Sequence, residues 1–383
     1  MLTAGLCLWA GGASAQDDGD SFTPTLVGSL DMLLRNDHVY ASQVANKRLN
    51  DLFLVGNLKL GLFFTPDLSV RSTITLQPMT VATKTRWLKS EGAFVEELNL
   101  RWEPGDFLTY MGKFDPSFGI ASREAPGVYG LEFAGDYRIK EAMGAGAAYS
   151  LRTAEAGTHT LGLAAFFIDN TPLSQAVINT PKNSYPYTAR TGRNHSYYGG
   201  VANSEAPQSL SLTLDGTEFP DLPDLHYQIG VNMLQHDKTE TRDQFGYVAG
   251  VKYLHPLDDT VKLGPVLEFC AIENAGGGTL TTDRVPLAEM QSARYATAGL
   301  ELRVGNWSLS AVKGYRWSIE PGANGPNGRS YLDQLQTESV GYVFDFGLGL
   351  AVAHKHVHMY DPISGTGGTI DAVGVQSTYS LVF

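Results

Sequence analysis

Hydrophobic and polar residues alternate with a period of two along most of the chain. The stretches NLKLGLFF (57–64) and LHYQIGVNM (225–233) each place an apolar side chain at every second position. This period matches a β-strand, whose successive side chains point to opposite faces, and not the 3.6-residue period of a helix. The pattern therefore predicts strands with one apolar and one polar face.

Sixteen segments show this alternation. They are 23–34, 51–64, 68–79, 94–103, 106–114, 137–150, 158–168, 208–214, 225–234, 243–255, 261–272, 294–304, 307–317, 332–344, 348–359 and 371–383. Short turns such as 65–67 and 305–306 separate long connections such as 80–93 and 169–207, as in bacterial outer-membrane barrels. We predict an all-β fold, a 16-stranded antiparallel transmembrane β-barrel (14 to 18 strands). The alternative is a secreted array of soluble β-sandwiches.

Composition narrows the class of protein. No stretch approaches 18 consecutive apolar residues, which excludes membrane-spanning helices, and a net charge of −12 argues against a nucleic-acid partner. Residues 1–15 combine a short apolar core with a small-residue cleavage site and are predicted to be a signal peptide. The remaining residues 16–383 form a single predicted barrel domain. After cleavage only Cys270 remains, so no intrachain disulfide is expected.

The predicted faces give the chemistry of the barrel interior. Sixteen strands enclose an aqueous channel, whereas about eight are filled by side chains. The inward acids are Asp31, Glu97, Glu268 and Glu301. The inward basic residues are Lys59, Arg71, Arg101, Lys113, Arg138, Lys140, Lys252, Lys262, Arg303 and Arg316. This basic excess favours anions in the pore. Alternatively, pairs such as Arg303 with Glu301, or Arg101 with Glu97, only brace the wall.

The hairpin at 94–121 carries a more specific signal. The signal consists of Gly112, Lys113, Phe114, Pro116, Phe118 and Gly119, at the end of one strand and the start of a long connection. Over about 94–133 the sequence resembles the phosphate-selective-type porin family. The resemblance implies a trimeric barrel whose third outer loop, here 115–136, folds inward as a constriction, with Lys113 on the wall and Arg123 as the loop's one basic residue. The loop lacks the arginine cluster that this family uses for tight phosphate binding.

These observations predict an outer-membrane porin for passive diffusion of small anionic or neutral solutes, with a preference for phosphate or other small anions. A general non-selective porin is one alternative, and a receptor or adhesin barrel with working outer loops is another. We expect no enzymatic activity, because no nucleophile elbow or comparable catalytic spacing occurs, and no cofactor. The expected partners are outer-membrane lipid, lipopolysaccharide, the barrel-assembly machinery and two further copies in a homotrimer.

The last segment, VQSTYSLVF, is predicted to close the barrel against the first. Its apolar face holds Tyr379, Leu381 and Phe383. A terminal aromatic residue of this kind resembles the signal by which bacterial outer-membrane proteins are recognised for insertion. The segment therefore predicts both the closing strand and the membrane insertion signal.

Polar residues interrupt the outward apolar face in the last third of the chain. His354, His356 and His358 share one face at about 6.8 Å spacing, too far apart for three ligands of one metal ion, so no metal site is expected. Lys313 and Glu338 also point outward. Either a bulge changes the register there, or a subunit interface covers the two charges.

Overall fold

The computed structural model describes residues 22–44, 47–180, 190–236, 242–278, 292–319, 330–361 and 366–383. The predicted signal peptide, residues 1–15, lies outside the described residues. No helix in these seven ranges is long and apolar enough to cross a membrane.

Sixteen long strands form one closed antiparallel sheet. They are β1 (Thr25–Ser42), β2 (Asn50–Phe63), β3 (Leu68–Pro78), β4 (Glu91–Trp102), β5 (Phe107–Phe114), β6 (Ala142–Thr153), β7 (Gly157–Ile168), β8 (Ser209–Thr217), β9 (His226–Leu234), β10 (Gln244–Lys252), β11 (Val261–Glu273), β12 (Ser292–Val304), β13 (Trp307–Ile319), β14 (Ser330–Val343), β15 (Gly349–Asp361) and β16 (Thr366–Val382). Each strand pairs with its neighbours in chain order, and β16 pairs with β1. The predicted 16-stranded barrel is confirmed.

Short elements lie in the connections. Two-residue strands occupy Arg86–Trp87, Ile178–Asn179 and His255–Pro256. The connection from β5 to β6 contains a one-turn α-helix, Ala121–Glu124, and a 3-10 helix, Ala134–Tyr137. Three further 3-10 turns are Pro172–Ser174, Ser196–Tyr198 and Ala275–Gly278.

The seam between β1 and β16 closes the sheet. Leu30 lies opposite Leu381, and Met32 lies opposite Tyr379. At the end of the seam Phe383 and Gly28 exchange both backbone hydrogen bonds, at 2.8 and 2.9 Å. Hydrocarbon offers no partner for backbone N–H and C=O groups, so this closure is what allows the sheet to span a membrane.

The outward face of the barrel is apolar and the inward face is packed or polar. Leu163 on β7 and Ile229 on β9 point outward and are 52% and 53% exposed. Ala164, the next residue after Leu163, points inward and is buried. On β13 this band runs between Trp307 and Trp317, like the aromatic girdles at the two membrane interfaces. A soluble protein would bury such side chains, so the band marks the lipid-contacting surface. A charge near its middle costs about 2–4 kcal/mol.

Three predicted strand boundaries are wrong by five residues or more. The last strand begins at Thr366, not at residue 371. The first strand continues beyond residue 34 to Ser42, so Arg35 lies on the barrel wall. The segment predicted from residue 137 begins instead at Ala142, so Arg138 and Lys140 lie in the connection before β6. The 3-10 helix Ala134–Tyr137 precedes them, and the Asp115 carboxylate accepts from both the Arg138 guanidinium and the backbone N–H of Glu141. These bonds hold 138–141 away from the sheet.

The seam generates a stability prediction. A Cβ atom on Gly28 would lie 2.6 Å from Cε2 of Phe383 and 3.2 Å from Leu60. Gly28→Val should therefore displace the terminal ring, weaken the seam by about 1–3 kcal/mol and lower the temperature at which the barrel unfolds. Heat-modifiable electrophoretic mobility measures this temperature. The matched control is Gly56→Ala on β2, where the nearest atom would lie 3.7 Å away. Equal unfolding temperatures for the two variants would contradict the role of the terminal ring.

Candidate functional site

The connection 115–141 lies against the interior of the barrel. Its aromatic residues Phe118, Phe133 and Tyr137 are buried, each at 5% exposure or less, although they lie in a connection. Gly127 has a φ of +83°, and a Cβ atom there would lie 2.4 Å from Oγ of Ser339 on β14. Only glycine fits this conformation and this close approach to the wall.

Glu268 on β11 is one anchor of the 115–141 segment. Its carboxylate accepts hydrogen bonds from the backbone N–H of Ile120 and from the hydroxyl of Tyr137. Burial, together with the charge of Glu268, raises the pKa of Tyr137, so the phenol stays protonated and remains a donor. Gln228 on β9 adds hydrogen bonds to the backbone N–H of Gly119 and, at 2.9 Å, to the hydroxyl of Ser117.

Tyr129 is a second anchor, on the opposite side. Its hydroxyl donates to Asp37 on β1 at 2.8 Å. Two cations flank its ring: the Arg35 guanidinium lies 4.4 Å and the Lys355 ammonium 4.5 Å from the ring centroid. Such cation–π contacts strengthen when the groups are removed from water. Lys355 also donates to Glu132 at 2.7 Å, which joins β15 to the segment.

Two further ion pairs join the segment to the wall. Lys252 on β10 donates to Glu124 at 2.7 Å. Arg316 on β13 contacts Asp136 of the segment at 2.7 Å and Asp333 of β14 at 2.6 Å. On β8, the Ser211 hydroxyl donates to the carbonyl of Ser117 at 3.2 Å. The segment is therefore held to the wall from β8 through β15 and to β1.

The 115–141 segment makes fewer contacts with the wall formed by β2 to β5. Among the described residues, two ion pairs join the segment to this wall: the Lys113 ammonium on β5 lies 2.8 Å from Glu141, and Nη2 of Arg138 lies 3.9 Å from Oε1 of Glu96. The inward residues of β2, from Asp51 to Lys59, are also only partly buried. The interior beside β2 is therefore less filled, whereas inward residues of β3 and β4 such as Thr75 and Asn99 are buried.

Most of the predicted anion-contacting residues have carboxylate partners. Pairs within the interior join Lys59 to Asp31 at 2.9 Å, Arg303 to Glu301 at 2.8 Å and Arg138 to Asp115 at 2.6 Å, and Arg71 contacts Glu103. Lys252 and Arg316 are anchors of the 115–141 segment. The bracing interpretation therefore holds for Arg303 with Glu301, whereas Arg101 donates to Asn99 rather than to Glu97.

Lys113, predicted to line the pore and contact anions, is instead enclosed by protein. Lys113 is fully buried, and its ammonium group lies 2.8 Å from both Glu141 and Asp169. The carbonyl of Leu173 accepts from it at 3.1 Å. Arg190 also pairs with Glu141, so the connection from β7 to β8 folds over the lysine. Sequence alternation places Lys113 inward correctly, but it does not show what covers it.

Four of the predicted cations have no carboxylate within 4.0 Å in the described chain. They are Arg101, Arg123, Lys140 and Lys262. The guanidinium of Arg101 lies 5.8 Å from the ring centroid of Tyr110. Arg123 donates to the carbonyl of Pro116 at 3.1 Å, but its buried Nε atom has no hydrogen-bond partner. Burial and the charge of Arg138 lower its pKa. Lys140 is exposed beside β6, and Lys262 lies near the periplasmic-turn end of β11.

A β-bulge adds an acid that alternation does not predict. The register between β3 and β4 pairs Thr73 with Glu97 but Ile74 with Val95, so Glu96 is the extra residue. The bulge turns both adjacent glutamates inward, where Thr75 donates to Glu96 and Thr73 lies 3.4 Å from Glu97. Glu97 has no cation within 4.0 Å among the residues that the structure describes.

Sequence reasoning missed Arg35 and Lys355. Arg35 falls just beyond the predicted end of the first strand. Lys355 alternates with the three histidines of HKHVHMY and therefore points inward, a signal present in the sequence but overlooked. In the described part of the chain, no group of three or more His, Cys, Asp or Glu side chains forms a candidate metal site.

No protein-family model matches this chain, and no curated protein matches it significantly. Solved structures match over nearly the whole length. OprB of Pseudomonas putida aligns over 93% of this chain and 94% of its own, with a TM-score of 0.61 at 10% identity. The outer-membrane channel DcaP of Acinetobacter baumannii aligns over 94% and 97%, with 0.54 at 12%. OmpT of Vibrio cholerae, in a trimer form, aligns over 94% and 100%, with 0.50 at 9%.

The fold is that of a bacterial outer-membrane barrel. Together with the outward apolar band, this likeness confirms the predicted location in the outer membrane. The prediction of a phosphate-selective relative is supported only as far as the porin-type fold, and the phosphate-selective type stays a prediction.

The anchor at Glu268 generates a second prediction. Glu268→Ala leaves the Ile120 N–H and the Tyr137 hydroxyl without their acceptor, at a cost of about 1–3 kcal/mol for each buried group. We expect faster proteolysis within 115–141 and a flickering current in planar bilayers. Glu301→Ala is the control, because Glu301 pairs with Arg303 away from the segment. Identical proteolysis of the two variants would contradict the anchor.

The ion pair of Glu124 predicts a pH dependence. Burial opposes ionisation, but hydrogen bonds from His226 and Lys252 lower the pKa of Glu124 from 4.5 to about 2. A carboxylate with a lowered pKa stabilises the fold fully above about pH 4.5 and loses this contribution as the pH falls toward 2. The current should stay quiet from pH 7 to about 4.5 and flicker below.

Glu124→Gln is the control for this pH dependence. Its side chain has the same size but no charge, so its channel should flicker throughout the range. A wild-type current that becomes noisy already between pH 7 and 5 would contradict the assignment to Glu124.

Proposed function

We propose that the protein is an outer-membrane porin that carries small solutes by passive diffusion, with a preference for anions. The passage runs between the 115–141 segment and the wall of β2 to β5, so the segment acts as the constriction. One observation carries the proposal: Arg101 on this wall and Arg123 on the segment have no carboxylate within 4.0 Å in the described chain, whereas most other interior cations are paired.

Electrostatics gives the expected sign of selectivity. Each ion pair places opposite charges a few ångströms apart, and its field largely cancels at the distance of a passing solute. Arg101 and Arg123 retain full charges in confined water beside a wall of low dielectric constant, where they lower the energy of an anion. Glu97 opposes them with one unpaired charge. Two cations against one acid support a modest preference for anions, not tight binding.

A general porin without strong selectivity is the second candidate. The pairing of Lys59, Arg71 and Arg138 with carboxylates favours it, because these residues no longer contribute a net positive field. Arg101 and Arg123 could contact phosphate or any of several other small anions. We propose a channel rather than an enzyme, since the interior residues form wall and constriction. A homotrimer fits the same proposal, and the trimer form of OmpT supports it.

Conductance of purified protein in planar bilayers tests the proposal. Stepwise current increases are expected, and a salt gradient should give a zero-current potential of the sign for anion preference. A silent membrane would refute the pore. A cation-selective sign would refute the anion preference and leave the pore standing.

The two unpaired arginines generate a selectivity prediction. Arg101→Gln and Arg123→Gln should each lower the anion-to-cation permeability ratio about two- to five-fold, because each removes an unpaired positive charge from the passage. Glu97→Gln should shift the ratio in the opposite direction. Lys89→Gln, which removes the same charge from an exposed outer connection, is the control. The prediction fails if the zero-current potentials of the arginine variants match that of the control.

A further inference from the structure

Polar side chains occupy part of the outward face of β13 to β16. Two rows of paired residues cross these strands: one contains Glu338 beside His354, and the other runs through Lys313, Gln336, His356 and Asp371. We call these six residues the outer polar patch. The register between β13 and β14 is continuous, so no bulge turns Lys313 or Glu338 away from the outside.

The outer polar patch lies inside the apolar band, toward its outer end. On β13, Lys313 lies between Trp307 and Trp317, the residues that mark the two ends of the band. The neighbouring row on the periplasmic-turn side is apolar and includes Leu309, Val340 and Val352. Lipid headgroups end at the two aromatic levels, so hydrocarbon would surround the patch on an isolated barrel.

Contacts within the chain satisfy only part of the patch. His356 lies 2.6 Å from Asp371, Gln336 donates to Glu338 at 2.8 Å, and the Tyr40 hydroxyl lies 3.1 Å from Nε2 of His354. Glu338 and His354 lie 3.5 Å apart, and their side chains are still 46% and 44% exposed. The ammonium group of Lys313 lies 5.6 Å from the ring centroid of Tyr315 and has no carboxylate within 4.0 Å among the described residues. Ionisable groups at this depth are expensive in lipid and normally face protein or water.

The patch has the shape and charge order of a protein contact. Beside it runs a shallow groove with small residues, Ala298 and Ala311, on its floor, and with Leu300 and Val340 along its sides. Across the second row the charges are ordered, with the cation Lys313 at the β13 edge and the acid Asp371 at the β16 edge. A ring of identical subunits joins two different edges of neighbouring copies, and opposite charges at these edges suit such a contact.

We propose that the outer polar patch is the contact surface for a second copy of this chain, with Lys313 of one copy facing Asp371 of the next. This inference rests on the proposed homotrimer and assigns its interface to β13 to β16. The contact supplies a carboxylate for Lys313 and replaces lipid around Glu338 and His354 with protein.

Cysteine crosslinking tests the interface. The cysteines are placed in the row beside Lys313 and Asp371, so that the proposed ion pair stays intact. Within one chain, residues 311 and 373 are three strand spacings apart, about 14 Å, which exceeds the reach of a disulfide. Ala311→Cys combined with Val373→Cys should therefore give covalent dimers and trimers on a non-reducing denaturing gel after mild oxidation. Each single variant should stay monomeric. The native Cys270 is buried and does not interfere.

A matched pair on the opposite wall serves as the control. Leu163→Cys combined with Tyr247→Cys spans the same number of strands, from β7 to β10, within one continuous row. It should give no covalent oligomer. If the patch variant also remains monomeric but still conducts, the interface is refuted and the channel stands. Crosslinked trimers without conductance would refute the channel and support the interface.

Lys313→Leu distinguishes a patch that faces a second copy from a patch that faces lipid. If the patch faces lipid, leucine removes a buried charge and leaves any oligomer intact. If it faces a second copy, leucine removes the cation that pairs with Asp371 of the next copy. We expect the variant to keep its heat-modifiable barrel. Its trimer fraction, at equal protein concentration in mild detergent, should fall at least ten-fold. An unchanged trimer fraction would overturn the proposal.

Discussion

Backbone hydrogen bonding in hydrocarbon is the constraint on which the rest of this structure depends. Every N–H and C=O group inside the bilayer needs a partner from the protein, so the sheet must close. Closure at the pairing of β1 with β16 gives the chain an outside and an inside, and this division inverts the usual arrangement of a soluble core. Apolar side chains such as Leu163 face outward, while polar and charged groups gather within.

The enclosed charges largely neutralise one another. An inward arginine or lysine beside a confined carboxylate forms an ion pair, and most of the interior cations do so. Several of these pairs also have a mechanical role, because Lys252, Arg316 and Lys355 each hold an acid of the 115–141 segment. The same basic residues that suggest an anion channel therefore hold the 115–141 segment in place, and the proposed anion preference rests on the few unpaired cations.

On the outside of the barrel, ionisable groups are the exception. Along most of the wall, hydrocarbon tolerates only apolar side chains, so the ionisable groups of β13 to β16 stand out. Between the two aromatic levels, hydrocarbon offers them no hydrogen bonds. The proposed contact with a second copy would replace this hydrocarbon with protein, and it would link the channel inside to an assembly outside.

The sequence by itself determined the barrel, because a two-residue period and alternating loop lengths depend only on local pattern. It determined the inward direction of Arg71, Lys113 and Arg303 and the closing role of the last strand for the same reason. Tertiary structure alone decided what each inward residue meets. Lys113 is covered by a connection some sixty residues away, Glu96 turns inward through a bulge, and the acids of 115–141 reach distant strands. These contacts join residues far apart in the chain, where no period links them.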